Sequence, residues 1–488
     1  MYIISALALV SLVCWDFTPS GEPNLGWISL MLILTLACFV IWARATRPER
    51  NGNWFHPVPL MTVAYIIVFY QIPLSVALGL EVSVYRCPFP DKINSCATMS
   101  FMGYSFFCIG YLVGIYTVRK YRGNGVRAGL RAIVFFRPPN GIKLVIDYLL
   151  VAGWCLFIAF AVFAGKAFML SFTYSAGMNW GSGASYLNLL LELTKGPLLT
   201  LAGVRAALTK PSSFFQFCTH YDRRVLLFTI VANAPFLLAG DRGNIILASC
   251  FFVGPYVLLV RAWRLPSFIG AAAIASVLMV FFGNTRSRDV SESMTSRFSR
   301  GVDALELISM KPNELPTMEL ATSYNCFNAA VGIVPDIYPY AYGLYHWNDV
   351  SMAIPFYRRF DPVGEDLVGS GSLFFTDYLR GGDMTAGAGS SCLGMIYLDF
   401  GLVGIPVSMA VLGFLFGCVG WIVRVSSKYA IYWQFLFCYA LHQGLRSPRQ
   451  DPFVWFQNVA WAGIIFALLI VPLLIRSRKI ARKTLLQK

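Results

Sequence analysis

What this chain has little of is charge. Only 13% of its 488 residues are Asp, Glu, Lys or Arg, against ~25% in an average soluble protein, and 57% are hydrophobic. A water-soluble domain of this size is excluded. Absent as well are the alternating strands of a membrane barrel, any CxxC or Cys/His cluster at metal-ligand spacing, and the internal repeat from which many transporters are built. Four histidines offer little for a zinc site. What the sequence does contain is a series of apolar runs of about 20 residues, the length a helix needs to cross ~30 Å of hydrocarbon. With a mean hydropathy of +0.62, these runs define an all-α polytopic membrane protein.

The formal charge is +15, and its placement decides its meaning. The basic residues sit in short breaks that recur along the chain, as in positive cytoplasmic loops. No basic soluble domain is present, so no nucleic-acid partner is expected. Most of the twelve cysteines lie in apolar runs, where a thiol behaves as a small hydrophobe. Cys87 and Cys96 flank the short loop Pro88 to Ser95, and the spacing leaves a disulfide between them open.

Reading in order, residues 3–15 form a first short transmembrane helix, since no basic residue precedes them and no cleavage site is clear. Further helices are expected at about 25–43, 58–80, 98–118, 144–165, 186–207, 225–239, 244–260, 266–283, 401–423, 429–443 and 454–475. The break with Arg119, Lys120, Arg122, Arg127, Arg131, Arg137 and Lys143 fixes the orientation. Twelve helices with both termini cytoplasmic place every such break inside. The chain then divides into 1–283 with nine helices, 284–400 as one large outer loop domain, and 401–488 with three helices and a basic cytoplasmic tail. Within the loop domain, Ser293 to Met310 reads as an amphipathic helix, prolines at 335, 339, 355 and 362 keep later helices short, and Leu393 to Asp399 reads as a half-inserted or broken helix.

Arginines on the outer side run against the charge bias and call for another explanation. Gly240-Asp241-Arg242-Gly243 joins two apolar helices, and its glycines permit φ > 0 and a close backbone approach. Arg242 could bind a phosphate there in bidentate fashion, or the turn could simply cap its helices through Asp241. A second group, Arg286 and Arg288 with Arg297 and Arg300, begins where the ninth helix ends. A third, Arg446 and Arg449, follows His442. Packed as a bundle, these three helix ends could converge on a diphosphate leaving group, with membrane lipid headgroups as the plainer partner. Gly387 to Ser391 could present backbone amides to an anion, and Tyr345 and Trp347 could stack on sugar rings or mark the interface. Candidate general bases on the outer side are His346, His442, Asp241, Asp383 and Asp399, with His442 preferred for its pKa range and its arginine neighbours. Glu192 and Lys195, one turn apart in the sixth helix, read as an internal ion pair.

The chain resembles the Wzy-type O-antigen polymerases. The residues that carry the resemblance are Gly240-Asp241-Arg242-Gly243 after an apolar helix, Tyr342-Gly343 followed by Ile354-Pro355, Gly387 to Gly389 leading to Tyr397-Leu-Asp-Phe-Gly401, and Arg446 with Arg449. They span about residues 225 to 455. The resemblance implies a bacterial inner-membrane glycosyltransferase of the ligase-like GT-C group. Such an enzyme transfers a growing oligosaccharide from an undecaprenyl diphosphate donor to a lipid-linked acceptor, without metal or other cofactor and in some systems alongside a chain-length regulator protein. It assigns Arg242, Arg288, Arg446 and Arg449 to the diphosphate and brings Tyr397 into the substrate site. Many relatives have an acidic residue two positions before that tyrosine; this chain has Met395, so no carboxylate base is carried over. The alternatives are a lipid-linked oligosaccharide flippase or secondary transporter, which would place charge and broken helices at mid-membrane in two related halves, and an O-antigen ligase using the same donor.

Overall fold

The computed structural model describes residues 2–47, 52–80, 87–122, 139–171, 182–285, 292–310, 317–351, 353–354, 371–381, 389–425, 430–465 and 472. Every regular element among the described residues is helical. In chain order the α-helices are α1 (Tyr2–Asp16), α2 (Leu25–Ala45), α3 (Pro57–Ala77), α4 (Ile93–Arg122), α5 (Pro139–Ser171), α6 (Ser182–Leu208), α7 (Phe214–His220), α8 (Arg223–Leu238) and α9 (Gly243–Leu259). They continue as α10 (Leu265–Asn284), α11 (Met294–Met310), α12 (Met318–Ala321), α13 (Ser323–Ile333), α14 (Leu344–Ser351), α15 (Gly371–Arg380), α16 (Cys392–Val425), α17 (Ala430–Arg446) and α18 (Trp455–Ile465).

Among the described residues, seven helices are long and apolar enough to cross a membrane: α2, α3, α4, α5, α6, α10 and α16. The other five expected spans fall on α1, α8, α9, α17 and α18, which are shorter, between 11 and 17 residues. A 17-residue helix is about 25 Å long. The final expected span, 454–475, lies partly outside the described residues.

Two apolar cores organise the bundle. The first joins α2, α3, α4, α13 and α16 around Met61, Tyr65, Phe107, Phe327 and Leu412. The second joins α5, α6, α8, α9 and α17 around Ile146, Leu198, Phe228, Phe251 and Phe435. Leu60, Cys250, Phe437 and Leu441 tie the two together.

The closest pairing is between α4 and α16, and glycine makes it possible. A Cβ on Gly110 would lie 1.9 Å from the Ala410 carbonyl oxygen, and one on Gly413 would lie 2.0 Å from that of Phe107. Gly114 meets Phe414 and Gly417 meets Tyr111 in the same way. The contacts advance together along both chains, so the two helices run parallel with backbone against backbone. This is small-xxx-small packing, which wins van der Waals contact where lipid offers no hydrophobic drive between helices.

Among the described residues of 284–400, the helices after α11 and before α16 are short, of 4 to 11 residues. The first helix of this segment, α11, covers Met294–Met310. Arg300 donates from Nε to the Asn284 carbonyl at 2.9 Å and pairs with Glu292 at 2.9 Å, while the buried Arg297 donates to the Glu292 carbonyl at 3.1 Å. Arg300 thus holds α11 to the end of α10, while Arg297 ties it to the segment just before it. Thr317 donates to Gln71 at 2.6 Å, and Asn328 clamps the Phe89 backbone through bonds of 2.8 and 2.9 Å. The central part of the segment therefore rests on α3 and α4.

Leu393 to Asp399, expected as a half-inserted or broken helix, is the helical start of α16, and the break falls just after it at Gly401, with φ +61° and ψ −152°, a region open essentially to glycine alone. It frees the carbonyls of Leu398 and Asp399, which would otherwise bond four residues on. They accept instead from the backbone N–H of Ala341 at 3.0 Å and Tyr342 at 2.9 Å. The broken helix thus receives the turn before α14, where Tyr342 has φ +49° and Gly343 φ +90°, and α14 is set against the N-terminal part of α16. Cys87 and Cys96 are both free thiols, and Cys96 Sγ lies 3.9 Å from Asn328 Nδ2.

Candidate functional site

The turn between α8 and α9 ends one helix and begins another. Gly240 has φ +81°, and the Gly240 and Asp241 amides return to the Leu237 and Phe236 carbonyls, a Schellman-type stop. The Asp241 carboxylate accepts from Gly243 N–H at 3.0 Å and so caps α9, the plainer of the two roles open to it in the sequence. Arg242 is half-buried at the head of α9.

Below this turn lies charge inside the bundle. Lys195 and Glu192 form a salt bridge, with side chains 4% and 17% exposed, and Lys195 Nζ donates to Asn233 Oδ1 at 2.8 Å. Asp241 and Arg446 both lie within electrostatic reach of Glu192. Asp241, in the first expected arginine group, and Arg446, in the third, therefore both border this buried pair. In the second, Arg297 and Arg300 are occupied in holding α11, and Arg286 and Arg288 lie outside the described residues, as does Asp383.

Arg446 is exposed at the last turn of α17 and begins the 3-10 turn Ser447–Arg449. Arg449, half-buried, and Arg380, at the end of α15, both lie within electrostatic reach of Cys326 in α13. This turn links the α17 end to the wall formed by α13, α14 and the N-terminal part of α16. His442, one turn before Arg446, is buried and its Nδ1 has no hydrogen-bond partner.

On that wall stands a constellation drawn from three elements. Asp399 is fully buried. One of its oxygens accepts from Tyr345 N–H at 3.2 Å and the other from His346 N–H at 2.9 Å, so a carboxylate from α16 caps the first turn of α14. The same carboxylate meets His346 Nδ1, and His346 Nε2 is buried with no partner. One turn further along α14, Asp349 faces Asp451, which accepts from Phe453 N–H at 2.9 Å. Burial first, and then Asp349 beside it, raises the Asp451 pKa well above the usual carboxylate range. Among the described residues no group of three or more His, Cys, Asp or Glu is arranged to hold a metal ion.

Tyr345 is half-buried, and burial, with Asp399 nearby, pushes its phenol up to about 12. Trp347 is 51% exposed on the same short helix. Tyr397 is buried, its ring 6.3 Å from that of Tyr340 and edge-on. Asp349 and Asp451 were not singled out from sequence. The available signal was the three-residue interval from His346 to Asp349 on a helix, and the place of Asp451 two residues after Arg449.

These features define a polytopic helical membrane protein with a cationic turn and an acid–base cluster at one end of its bundle. The model of the O-antigen polysaccharide polymerase Wzy family matches residues 1–479, and the chain belongs to that family. Membership makes it a glycosyltransferase-type polymerase acting on lipid-linked oligosaccharides. Neither a curated protein nor a solved structure gives a significant match.

Proposed function

We propose that this protein extends O-antigen on the periplasmic face of the bacterial inner membrane. It transfers the growing oligosaccharide from undecaprenyl diphosphate to the non-reducing end of a lipid-linked repeat unit, without a metal. What supports this reading is that Asp241, in the Gly240–Gly243 turn, and Arg446, at the end of α17, both lie within electrostatic reach of the buried Glu192–Lys195 pair. A diphosphate leaving group needs fixed positive charge in a site of low dielectric, and guanidinium groups on rigid helix ends supply it with little reorganisation. Arg242 and Arg446 bind the diphosphate in this reading, with Arg449 one 3-10 turn away. Tyr345 and Trp347 lie on the helix that carries His346, suited to stacking on sugar rings. A small apolar void between α16, α17 and α18, lined by Leu415, Phe416, Val419, Leu436, Tyr439 and Gln443, lies one turn before Arg446 along α17.

The test is polymerisation by purified protein in liposomes, using the lipid-diphosphate-linked repeat unit of its host in the presence of EDTA. Wild-type protein should give a ladder of products. Arg446→Ala and Arg242→Ala should each slow it about 10²-fold or more, the scale of losing one charge-stabilising donor. A ladder that appears only when a divalent cation is supplied would refute the metal-free part. Transfer of intact lipid between leaflets without elongation would replace the polymerase with a flippase.

A further inference from the structure

Resting on the polymerase reading, we propose that His346, oriented by Asp399, is the general base that takes the proton of the acceptor hydroxyl. The geometry assigns the two ring nitrogens different tasks. Asp399 is itself fixed by the amides of Tyr345 and His346, and it meets Nδ1. A carboxylate only accepts, so Nδ1 carries the proton and Nε2 the lone pair. The carboxylate also stabilises the imidazolium that a base becomes, and it keeps the ring from turning. Asp399 is a positioning residue in this scheme.

The second observation is Nε2 itself. His346 is 7% exposed, and Nε2 finds no hydrogen-bond partner. The rings facing the imidazole are those of Phe400 at 5.3 Å and Phe453 at 5.0 Å, neither of which can bond to it. An unpartnered buried acceptor costs about 1–3 kcal/mol and is uncommon in native proteins. A nitrogen held in one orientation and left without a donor is suited to a donor that arrives with substrate, and a sugar hydroxyl is such a donor.

The third observation is location. Asp451 follows Arg449 by two residues and lies within electrostatic reach of Asp399. The base therefore stands on the same wall as the arginine-bearing turn. His442 also has an unpartnered nitrogen, but Arg446 one turn away would repel the imidazolium.

In the step itself, the acceptor hydroxyl oxygen bonds to the donor's anomeric carbon while the bond from that carbon to the diphosphate oxygen breaks. The electron pair leaves with undecaprenyl diphosphate, and the hydroxyl proton passes to His346 Nε2. Release of that proton to water restores the base.

His346→Asn tests this directly. Its side-chain amide keeps an N–H donor close to the place of Nδ1, so the tie to Asp399 survives while Nε2 is lost. Elongation should fall about 10²–10⁴-fold, the usual contribution of a general base, with the donor KM and the unfolding temperature close to wild type. Imidazole added to His346→Gly should restore part of the rate. If His346 only anchors α14, the asparagine variant will elongate at the wild-type rate and the proposal is wrong. Should that variant unfold, imidazole decides: rescue of His346→Gly supports the base, and folded glycine variant without rescue overturns it. A wild type that makes no ladder strikes at the polymerase reading, whereas ladders from wild type and His346→Asn together strike at the base alone.

Discussion

Asp451 shows how one buried carboxyl group can be read in both directions, as a stability element and as a neighbour of the site. Its pKa is raised in the folded protein by burial and by Asp349, while in the unfolded chain it returns to ~3.9. Between those two values the folded state holds a proton that the unfolded state has released. Stability therefore falls as pH rises through that window, by up to ~1.4 kcal/mol per pH unit, and is fully present only below the unfolded value. Asp451→Asn removes the titration and keeps an oxygen for Phe453 N–H. The variant should unfold at a higher temperature than wild type at pH 8, and the gap should close at pH 4. Equal unfolding temperatures at both pH values would mean that Asp451 is not held protonated by the fold.

At the scale of elements, the α4–α16 pair carries the sharpest expectation. Gly110 and Gly413 face carbonyl oxygens of the partner helix, which cannot swing aside as a side chain does. Gly110→Leu should force the helices apart and lower stability in detergent by several kcal/mol, beyond the ~1–3 kcal/mol typical of ordinary overpacking. Gly270→Leu in α10, where a Cβ meets nothing within 4 Å, should leave the unfolding temperature within about 2 °C of wild type, as expected of a substitution with no packing consequence. Equal losses at the two positions would show that the contact does not hold the bundle.

The same scale shows what could be read beforehand. Helical periodicity placed α11 within one residue of its start, because a three- to four-residue apolar spacing is local information. The break in α16 was legible only to within a few residues: the stretch expected to be broken, Leu393 to Asp399, is helical, and the break lies just beyond it at Gly401. The Glu192–Lys195 bridge followed from helical spacing alone. The pairing of His346 with Asp399 could not be read, although both stood among the candidate bases. They are 53 residues apart, and it is the carbonyls released at Gly401 that draw the stretch before α14 to α16. Nor does a glycine pattern say which helix it will face.

At the scale of the whole molecule, the orientation expected from the charge in the breaks can be tested without reference to chemistry. Among the described residues seven helices have the length and composition to span, and α1, α8, α9, α17 and α18 must cross as well if both termini are cytoplasmic. A short span such as α1 can do so by local thinning of the bilayer and by packing against longer neighbours, at a cost of fractions of a kcal/mol per Å of mismatch. Two exposed tyrosines serve as reporters: Tyr342, 80% exposed before α14, and Tyr121, 80% exposed near the end of α4. In a variant whose exposed Cys155 is replaced, Tyr342→Cys should react with a membrane-impermeant maleimide added outside intact spheroplasts. Tyr121→Cys should react only after the membrane is opened. If both react from outside, α4 does not carry the chain across, the basic break after it is not cytoplasmic, and the twelve-helix topology fails at its best-determined point. If neither reacts until lysis, the acid–base wall faces the cytoplasm, and a polymerase working on the periplasmic face could not use it.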